Sequence, residues 1–279
     1  MSNSRIRTHA RLSLLALAAG ILGACASTTR EDLSGSSRYQ FMLVSEAKII
    51  QDSNDYYTQR NREAAKAKTL ITSGPEYERL LRIMKRIVPQ TDILRPGTSA
   101  WNWELVLIDS PEINANVLPG GKITFYTGII RKLNLTDDEI AAIMGHEIAH
   151  ALREHSREKI SQQQATQIVA GLVTGVVGGG ELVALAQKVG LELPFSRTME
   201  SEADVYGLEL AARAGYSPQG AIRLWQKMAA QRDGSSPPEL LSTHPADETR
   251  QTQLAALQDK AMPLYKEALK PQPPAGSNN

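Results

Sequence analysis

The chain has 279 residues, with 31 Lys and Arg against 30 Asp and Glu, which gives a formal net charge of +1. This balance gives no support to a nucleic-acid-binding protein or to one that binds a strongly anionic surface. The single cysteine excludes an intramolecular disulfide and any metal site built from several thiolates.

The first two dozen residues predict a signal peptide. Arginines precede an apolar run from Leu12 to Leu22, which at about 11 residues is too short to cross roughly 30 Å of hydrocarbon as a helix. The run ends in Leu22-Gly23-Ala24-Cys25, which resembles the lipobox of bacterial lipoproteins. We therefore predict that residues 1–24 are removed and that Cys25 is lipidated; the alternative is an unused cysteine in front of an ordinary cleavage site.

The segment after the cysteine predicts a polar tether. Residues 25–37 are rich in Ser and Thr, as expected between a lipid anchor and a folded domain. Ala26 follows the cysteine in place of Asp, which by resemblance to enterobacterial lipoproteins indicates the outer membrane. We expect a cell-envelope protein of a Gram-negative bacterium, lipid-anchored and facing the periplasm, with one domain over residues 38–270. Residues 271–279 are expected to be disordered.

The first half of the domain predicts two helices and a small sheet. Apolar residues recur at helical spacing in Arg38–Lys68 and in Pro75–Ile87. Trp103–Ile108 has the composition of a strand. Two more short strands, Asn114–Leu118 and Lys122–Thr127, are separated by a Pro-Gly-Gly turn whose glycines permit positive φ.

The second half predicts mainly helices. Thr136 and Glu139 have the spacing of a capping box, and apolar residues continue one helix to about Ile160. A second helix is expected over Ser196–Ala214, and Ser217 with the following proline begins a third. These elements predict an α+β fold that is mostly helical.

A Gly, Val and Ala-rich stretch, Val169 to Gly180, interrupts the helical half. It is too apolar for a solvated linker and too rich in glycine for a rigid helix. Two interpretations remain equally open: a buried helix end followed by a turn, or a mobile flap over a cleft.

The sequence His146-Glu147-Ile148-Ala149-His150 is a zincin motif within the capped helix. The spacing i, i+4 places both imidazoles on one helix face, within reach of one zinc ion. Glu147 then lies beside the metal, free to accept a proton from water. The alternative is a surface helix with two exposed histidines, which the apolar residues on both sides of the motif disfavour.

A third protein ligand is expected on a later helix. A metzincin would place a histidine at position 156, which is Ser here; His155 is one residue short, and no glycine precedes it to let the helix turn. Glu200 and Asp204 share a helix face at spacing i, i+4. Glu200 is the better ligand, because Asp204 can then hydrogen-bond a ligating imidazole. Glu202 points away from that face.

These segments together resemble the HtpX and Oma family of gluzincin peptidases. The resemblance covers about Pro75 to Leu257, and within the family it is strongest to periplasmic lipoprotein proteases of the outer membrane. It is carried, in order along the chain, by Asn114–Gly121, His146–His150, Arg197-x-x-Glu200-x-x-Ala203-Asp204, and Ser242-Thr243-His244-Pro245 with Arg250. The fold it implies is a zincin domain with a small sheet beside the active-site helix.

The resemblance implies one zinc per chain and a catalytic role for His244 beside that of Glu147. His244 would lie over the metal and either stabilise the oxyanion or occupy the open position in a resting state. The remaining alternative is a loop histidine that caps the next helix. His155 corresponds to a structural histidine, which we expect to be buried and hydrogen-bonded.

The expected function is zinc-dependent hydrolysis of peptide bonds in unfolded or misassembled envelope proteins. The substrate would lie extended along the strand formed by Asn114, Ala115, Asn116, Val117 and Leu118. Outer-membrane assembly factors are the protein partners suggested by the location. The alternative is a zinc-stabilised chaperone or binding protein with an idle peptidase site.

Overall fold

A computed structural model describes residues 25–35, 38–174, 194–231, 238–245 and 248–271, with only the backbone described for Cys25 and for residues 168–174. The predicted signal peptide, residues 175–180 of the Gly-rich stretch and the predicted tail after Pro271 lie outside these residues. None of the described helices combines the length and apolar composition that crossing a bilayer requires.

Helices make up most of the described chain, and the strands form two small sheets. The helices are α1 (Glu46–Lys66), α2 (Pro75–Ile87), α3 (Thr91–Leu94), α4 (Thr127–Lys132), α5 (Asp137–Leu152), α6 (His155–Thr174), α7 (Arg197–Arg213), α8 (Gln219–Gln231), α9 (Glu239–Thr243), α10 (Glu248–Ala256) and α11 (Gln258–Ala268). The strands are β1 (Cys25–Ala26), β2 (Gln40–Phe41), β3 (Leu70–Ile71), β4 (Glu104–Ile108), β5 (Ala115–Leu118) and β6 (Lys122–Tyr126).

The main sheet has four strands in the order β3-β4-β6-β5. Strands β4 and β6 are parallel, and the other pairs are antiparallel. The turn between β5 and β6 contains Gly120 and Gly121 at φ of 82° and 86°, as the sequence predicted. Strand β5 forms one edge of the sheet and packs against α5. The predicted α+β fold, mostly helical with a small sheet beside the motif helix, is confirmed.

The first helix begins later than the sequence indicated. Ser45, in an extended conformation, caps α1 by accepting a hydrogen bond from the Lys48 N–H, and Gln40–Phe41 before it form a strand. Gln40 lies in β2, which pairs with β1, and its buried side chain donates to the backbone oxygen of Arg153 and to Glu158. The prediction of one helix from Arg38 was therefore wrong, because long-range hydrogen bonds override local helical spacing there.

The central helix α5 has the predicted capping box. The Thr136 hydroxyl accepts from the Glu139 N–H, and the Glu139 carboxylate accepts from the Thr136 N–H at 2.7 Å. The predicted end of this helix, near Ile160, was wrong. Glu154 adopts the left-handed conformation at φ 51° and its carboxylate pairs with Arg95 and Arg157. These ion pairs stabilise a break without glycine, and α6 begins at the next residue.

Helices α5 and α7 cross at two glycines. A Cβ atom on Gly207 would lie 2.6 Å from the backbone nitrogen of His146, and one on Gly145 would lie 2.6 Å from the backbone oxygen of Gly207. Only glycine permits this approach of two backbones. The crossing brings the face of α7 that carries Glu200 and Asp204 against the histidines of α5.

Candidate metal and catalytic site

Four buried side chains from three elements converge at one point. Helix α5 contributes His146 and His150, α7 contributes Glu200, and the turn after α9 contributes His244. One donor atom from each lies within 4.8 Å of the donor atoms of the other three. The structure therefore brings together the three predicted ligands and the histidine predicted to lie over the metal.

The donor atoms lie close enough together to share one metal ion. The Nε2 atom of His146 lies 3.1 Å from His150 Nε2 and 3.2 Å from His244 Nδ1. The Glu200 carboxylate lies 3.5 Å and 3.4 Å from the Nε2 atoms of His146 and His150, and 2.9 Å from His244 Nδ1.

Zinc fits this donor set. Two ligand atoms at 2.0–2.1 Å from a tetrahedral zinc ion are roughly 3.3 Å apart, close to the five separations just given, which run from 2.9 to 3.5 Å. Imidazole nitrogens that face one another at 3.1 Å require a proton or a cation between their lone pairs. Three imidazoles and one carboxylate are donors that zinc prefers, and their burial keeps competing water away.

Asp204 and Arg250 support His146 from behind. Asp204 accepts from His146 Nδ1 at 3.0 Å and from two nitrogens of the Arg250 guanidinium at 2.6 and 2.8 Å. Burial alone would lower the pKa of His146, but the carboxylates of Asp204 and Glu200 outweigh it and raise the pKa to about 9. Burial would raise the pKa of Asp204, but Arg250 holds it below its usual range. Asp204 is therefore a carboxylate that accepts the Nδ1 proton of His146 and leaves Nε2 directed at the donor cluster.

Three contributors were missed as site residues by the sequence analysis. Arg250 also lies 2.7 Å from the Glu200 carboxylate, and its guanidinium stacks 4.3 Å from the Trp225 ring. Phe195 packs against the His150 ring, with centroids 4.2 Å apart. Arg250 is one of the residues that carry the family resemblance, so the sequence did indicate it. No motif or spacing in the sequence indicated Trp225 or Phe195.

Glu147 lies beside the donor cluster without belonging to it. It is buried, its Oε1 atom lies 3.4 Å from His244 Nε2, and within the described chain that oxygen accepts no hydrogen bond. Burial raises the pKa of the Glu147 carboxyl, which the neighbouring histidines counteract only in part. A buried carboxylate with a raised pKa next to a metal site is suited to general base catalysis.

Strand β5 packs against α5, the helix that carries Glu147. The backbone of Val117 lies near the Glu147 carboxylate, where it lowers the pKa that burial raises. Asn114 precedes the strand, and among the described strands Ala115 to Leu118 pair with β6 alone, which leaves the other edge of β5 without a strand partner there. The Ile113 oxygen accepts from the Leu240 N–H at 3.2 Å, which joins this edge to the helix leading to His244.

An apolar cavity adjoins the donor cluster between α5, α7 and α8. His146, Glu147 and His244 form its polar end. Its apolar walls include Ile143, Leu208, Leu224, Trp225, Met228 and Leu240.

His155 and Glu202 lie behind His150. His155 Nδ1 is 2.9 Å from His150 Nδ1, and His155 Nε2 is 2.9 Å from the Glu202 carboxylate. His155 is completely buried, in agreement with the expectation of a hydrogen-bonded structural histidine. The chain does turn before His155 without a glycine, at Glu154, but this brings His155 to the far side of the His150 ring and not into the donor cluster, so the exclusion of His155 as the third ligand stands.

Comparison with known proteins agrees with this geometry. Residues 76–258 match the model of peptidase family M48. The mitochondrial metalloendopeptidase OMA1 of Schizosaccharomyces pombe is 38% identical over 171 residues, 61% of this chain and 49% of that protein. OMA1 of Homo sapiens is 33% identical over 184 residues, 61% of this chain and 35% of that protein. The beta-barrel assembly-enhancing protease of Yersinia pestis is 28% identical over 187 residues, 62% of this chain and 36% of that protein.

The chain spans about half or less of the length of these relatives. The family match covers about two thirds of the chain and includes all four donor residues, Glu147 and Arg250. Zinc, the cofactor predicted from the sequence, fits both the family and the donor set. A match of this extent, over a helix pair that carries the zincin motif and its third ligand, places the chain in peptidase family M48.

Proposed function

We propose that this protein is a zinc-dependent endopeptidase, with His146, His150 and Glu200 as the zinc ligands. The observation that carries the proposal is the buried donor cluster with Glu147 beside it. A purely structural zinc site needs four ligands and no adjacent base. An apolar residue would pack better than Glu147 at this buried position, because the Oε1 atom of Glu147 accepts no hydrogen bond within the described chain.

Each side chain has a distinct part in the proposed hydrolysis. Bound zinc supplies a Lewis acid that lowers the pKa of water and polarises a carbonyl. Glu147 accepts the proton of the attacking water and returns it to the leaving amine. Asp204 fixes the tautomer of His146 by accepting from Nδ1, so that Nε2 is free to bind metal. Arg250 orients Asp204.

His244 is proposed to close the site at rest. Its Nδ1 atom is one of the four clustered donors, 2.9 Å from Glu200 and 3.2 Å from His146 Nε2. This arrangement supports occupation of the fourth position over oxyanion stabilisation. Access of substrate then requires a shift of the turn after α9, which carries His244.

The proposed substrates are unfolded or misassembled envelope proteins. An extended segment can add to the free edge of β5 through main-chain hydrogen bonds, which select conformation more than sequence. The apolar cavity beside the donor cluster suits a small apolar side chain of the kind that folded proteins bury. Both features favour chains that have lost or not reached their fold.

The proposed location is the periplasmic face of the outer membrane, through a lipid on Cys25. The lipobox-like segment supports the anchor. The similarity to a protein named beta-barrel assembly-enhancing protease supports an envelope role and contact with outer-membrane assembly factors.

Cleavage of casein with and without a chelator tests the peptidase function. We expect purified protein to cleave casein, the chelator to stop cleavage and added zinc to restore it. Glu147→Gln should keep its zinc and lose about 10²–10⁴-fold in turnover, because general base catalysis is removed. Glu209→Gln, a buried carboxylate on α7 outside the site, is the matched control and should retain activity.

A zinc-stabilised binding protein is the second candidate, because His244 completes a four-donor set. That function predicts zinc-dependent binding of unfolded protein without cleavage, and equal behaviour of the intact protein and Glu147→Gln. Cleavage products that depend on Glu147 would exclude it.

A further inference from the structure

We propose that His155 and Glu202 are positioning residues for the metal site, which hold the His150 imidazole with Nε2 directed at the bound ion. This inference rests on the proposed zinc site and concerns two residues outside its donor cluster. They form a single line of hydrogen bonds that runs from His150 to His155 and then to Glu202.

The direction of each hydrogen bond follows from the ligand atom. If His150 binds metal through Nε2, its proton must be on Nδ1, and Nδ1 can then only donate. Its neighbour at 2.9 Å, His155 Nδ1, must therefore accept. His155 is then neutral with its proton on Nε2, which donates to the Glu202 carboxylate at 2.9 Å. The three side chains have one consistent arrangement, and it leaves the His150 lone pair on the metal side.

Two arginines fix the end of this line. Glu202 accepts from Arg153 Nη2 at 3.0 Å and from Arg38 Nη2 at 3.1 Å. With both guanidinium groups donating to it, Glu202 is held as a carboxylate and stays an acceptor for His155.

The geometry excludes the plainer interpretation that His155 only fills space. Its side chain is fully buried, and both ring nitrogens have specific partners in the described chain. His150 depends on this contact for its Nδ1 atom, as His146 depends on Asp204. An imidazole free to rotate or to change tautomer would offer its lone pair to the metal only part of the time. Loss of such supporting contacts typically weakens metal affinity about 10–100-fold.

Zinc affinity, measured by competition with a chromophoric chelator in the full chain, tests the proposal. His155→Leu removes the acceptor, and Glu202→Ala removes the group that orients it. We expect both variants to bind one zinc ion at saturation, with affinity lower by about 10–100-fold. His155→Asn is the rescue variant, because its amide oxygen can take the place of Nδ1 and accept from His150. It should recover most of the affinity.

Glu209→Ala is the matched control. Glu209 is also a buried carboxylate on α7 and forms an ion pair, with Arg213, but it does not contact the site. Its loss should leave zinc affinity unchanged. Affinities of His155→Leu and Glu202→Ala within about twofold of the intact protein would overturn the proposal, as would an equal loss in Glu209→Ala or no recovery in His155→Asn.

The test is independent of cleavage. If the intact protein binds zinc but cleaves no substrate, the proposed peptidase function fails while the affinities still decide the roles of His155 and Glu202. If it cleaves substrate and the affinities do not change, the peptidase function stands and the positioning role is excluded.

Discussion

At the scale of single residues, His244 has the most informative position. Its imidazole lies between the metal donors and the proposed base, with Nδ1 2.9 Å from Glu200 and Nε2 3.4 Å from Glu147. A resting ligand at the fourth position must leave before a substrate carbonyl can approach. If His244 closes the site at rest, as proposed, the same side chain limits access of substrate, whatever it contributes afterwards.

Replacement of His244 by Ala should raise basal cleavage of an unfolded substrate, because the fourth position then stays open. The measurement is the initial rate of casein cleavage at equal zinc content, with Thr243→Ala as the control in the same turn. A fall in turnover of about 10²–10³-fold would instead identify His244 as an oxyanion donor. An unchanged rate would exclude it from the active site.

The residues closest to the chemistry were accessible from the sequence because they share local spacing. His146 and His150, and again Glu200 and Asp204, lie four residues apart on a helix, so one helix face collects them. The partnership of His150 with His155 was not accessible in this way. It depends on a break at Glu154 that is stabilised by ion pairs to Arg95 and Arg157, and no local pattern predicts a left-handed glutamate.

At the scale of elements, the crossing of α5 and α7 positions the ligands. Gly207→Ala would place a Cβ atom 2.6 Å from the His146 backbone nitrogen, which cannot move aside as a flexible side chain can. We expect a loss of about 1–3 kcal/mol in the free energy of unfolding and weaker zinc binding, as the two helices separate. Chemical denaturation and chelator competition measure the two effects. Thr198→Ala, on the exposed start of α7, is the control, and normal zinc affinity in Gly207→Ala would contradict the expectation.

The capping box of α5 gives a pH-dependent prediction. Burial would raise the pKa of Glu139, but Lys227 and the Thr136 N–H outweigh it and lower the pKa below the ordinary 4.5. The charged form therefore stabilises the folded protein above pH 4.5, and this stabilisation is lost as the pH falls through the lowered folded-state pKa. Glu139→Gln should lower the free energy of unfolding by about 1 kcal/mol at pH 7. The difference between the variant and the intact protein should become smaller at acidic pH.

Free energies of unfolding for the two proteins at neutral and acidic pH test this dependence. Glu78→Gln, in the exposed first turn of α2, is the control and should differ from the intact protein by only a few tenths of a kcal/mol. If Glu139→Gln lowers the free energy of unfolding by the same amount at neutral and acidic pH, the effect comes from the shape of the side chain and not from its charge.

The element boundaries that the sequence analysis placed correctly have local signals, and those it missed do not. Thr136 and Ser196 cap their helices through side chains that were identifiable in advance. By contrast, Gln40 is polar and lies in a helix-like pattern, yet it is buried against Arg153 and Glu158. The residues that bury Gln40 lie more than one hundred positions away in the sequence, so local composition and periodicity cannot predict its burial.

At the scale of the whole molecule, the segment after Cys25 differs from a free tether. Thr29 donates to the Tyr206 hydroxyl at 2.9 Å and accepts from Arg153 at 3.0 Å, while the Arg30 N–H donates to the Leu94 oxygen. A solvated linker and a segment that hydrogen-bonds buried polar groups have the same polar composition, so the sequence could not distinguish them. The extent of the domain and of the tether stays a prediction.

Lipidation of Cys25 is tested by where the protein fractionates. Mass spectrometry of the membrane fraction should show an acylated mature N-terminus at Cys25, because the lipobox-like segment directs modification there. Cys25→Ser should move the protein to the soluble fraction, whereas Ser27→Ala should leave it with the membrane. An unmodified soluble mature form of the intact protein would exclude the anchor.

The contacts of Arg38 also have a consequence for the order in which parts of the chain fold. Arg38 lies 120 residues from Glu158 and 164 residues from Glu202 along the chain, and it binds both. During folding, contacts between residues so far apart in sequence are expected to form late, because closing a long loop costs conformational entropy before the contact can stabilise the chain. The hydrogen bonds that support His150 through His155 and Glu202 are therefore complete only after Arg38, near the start of the chain, has packed against residues from its middle and second half. A half-folded copy would therefore lack part of the hydrogen-bonded support of His150, and we expect it to bind metal less tightly than the folded protein.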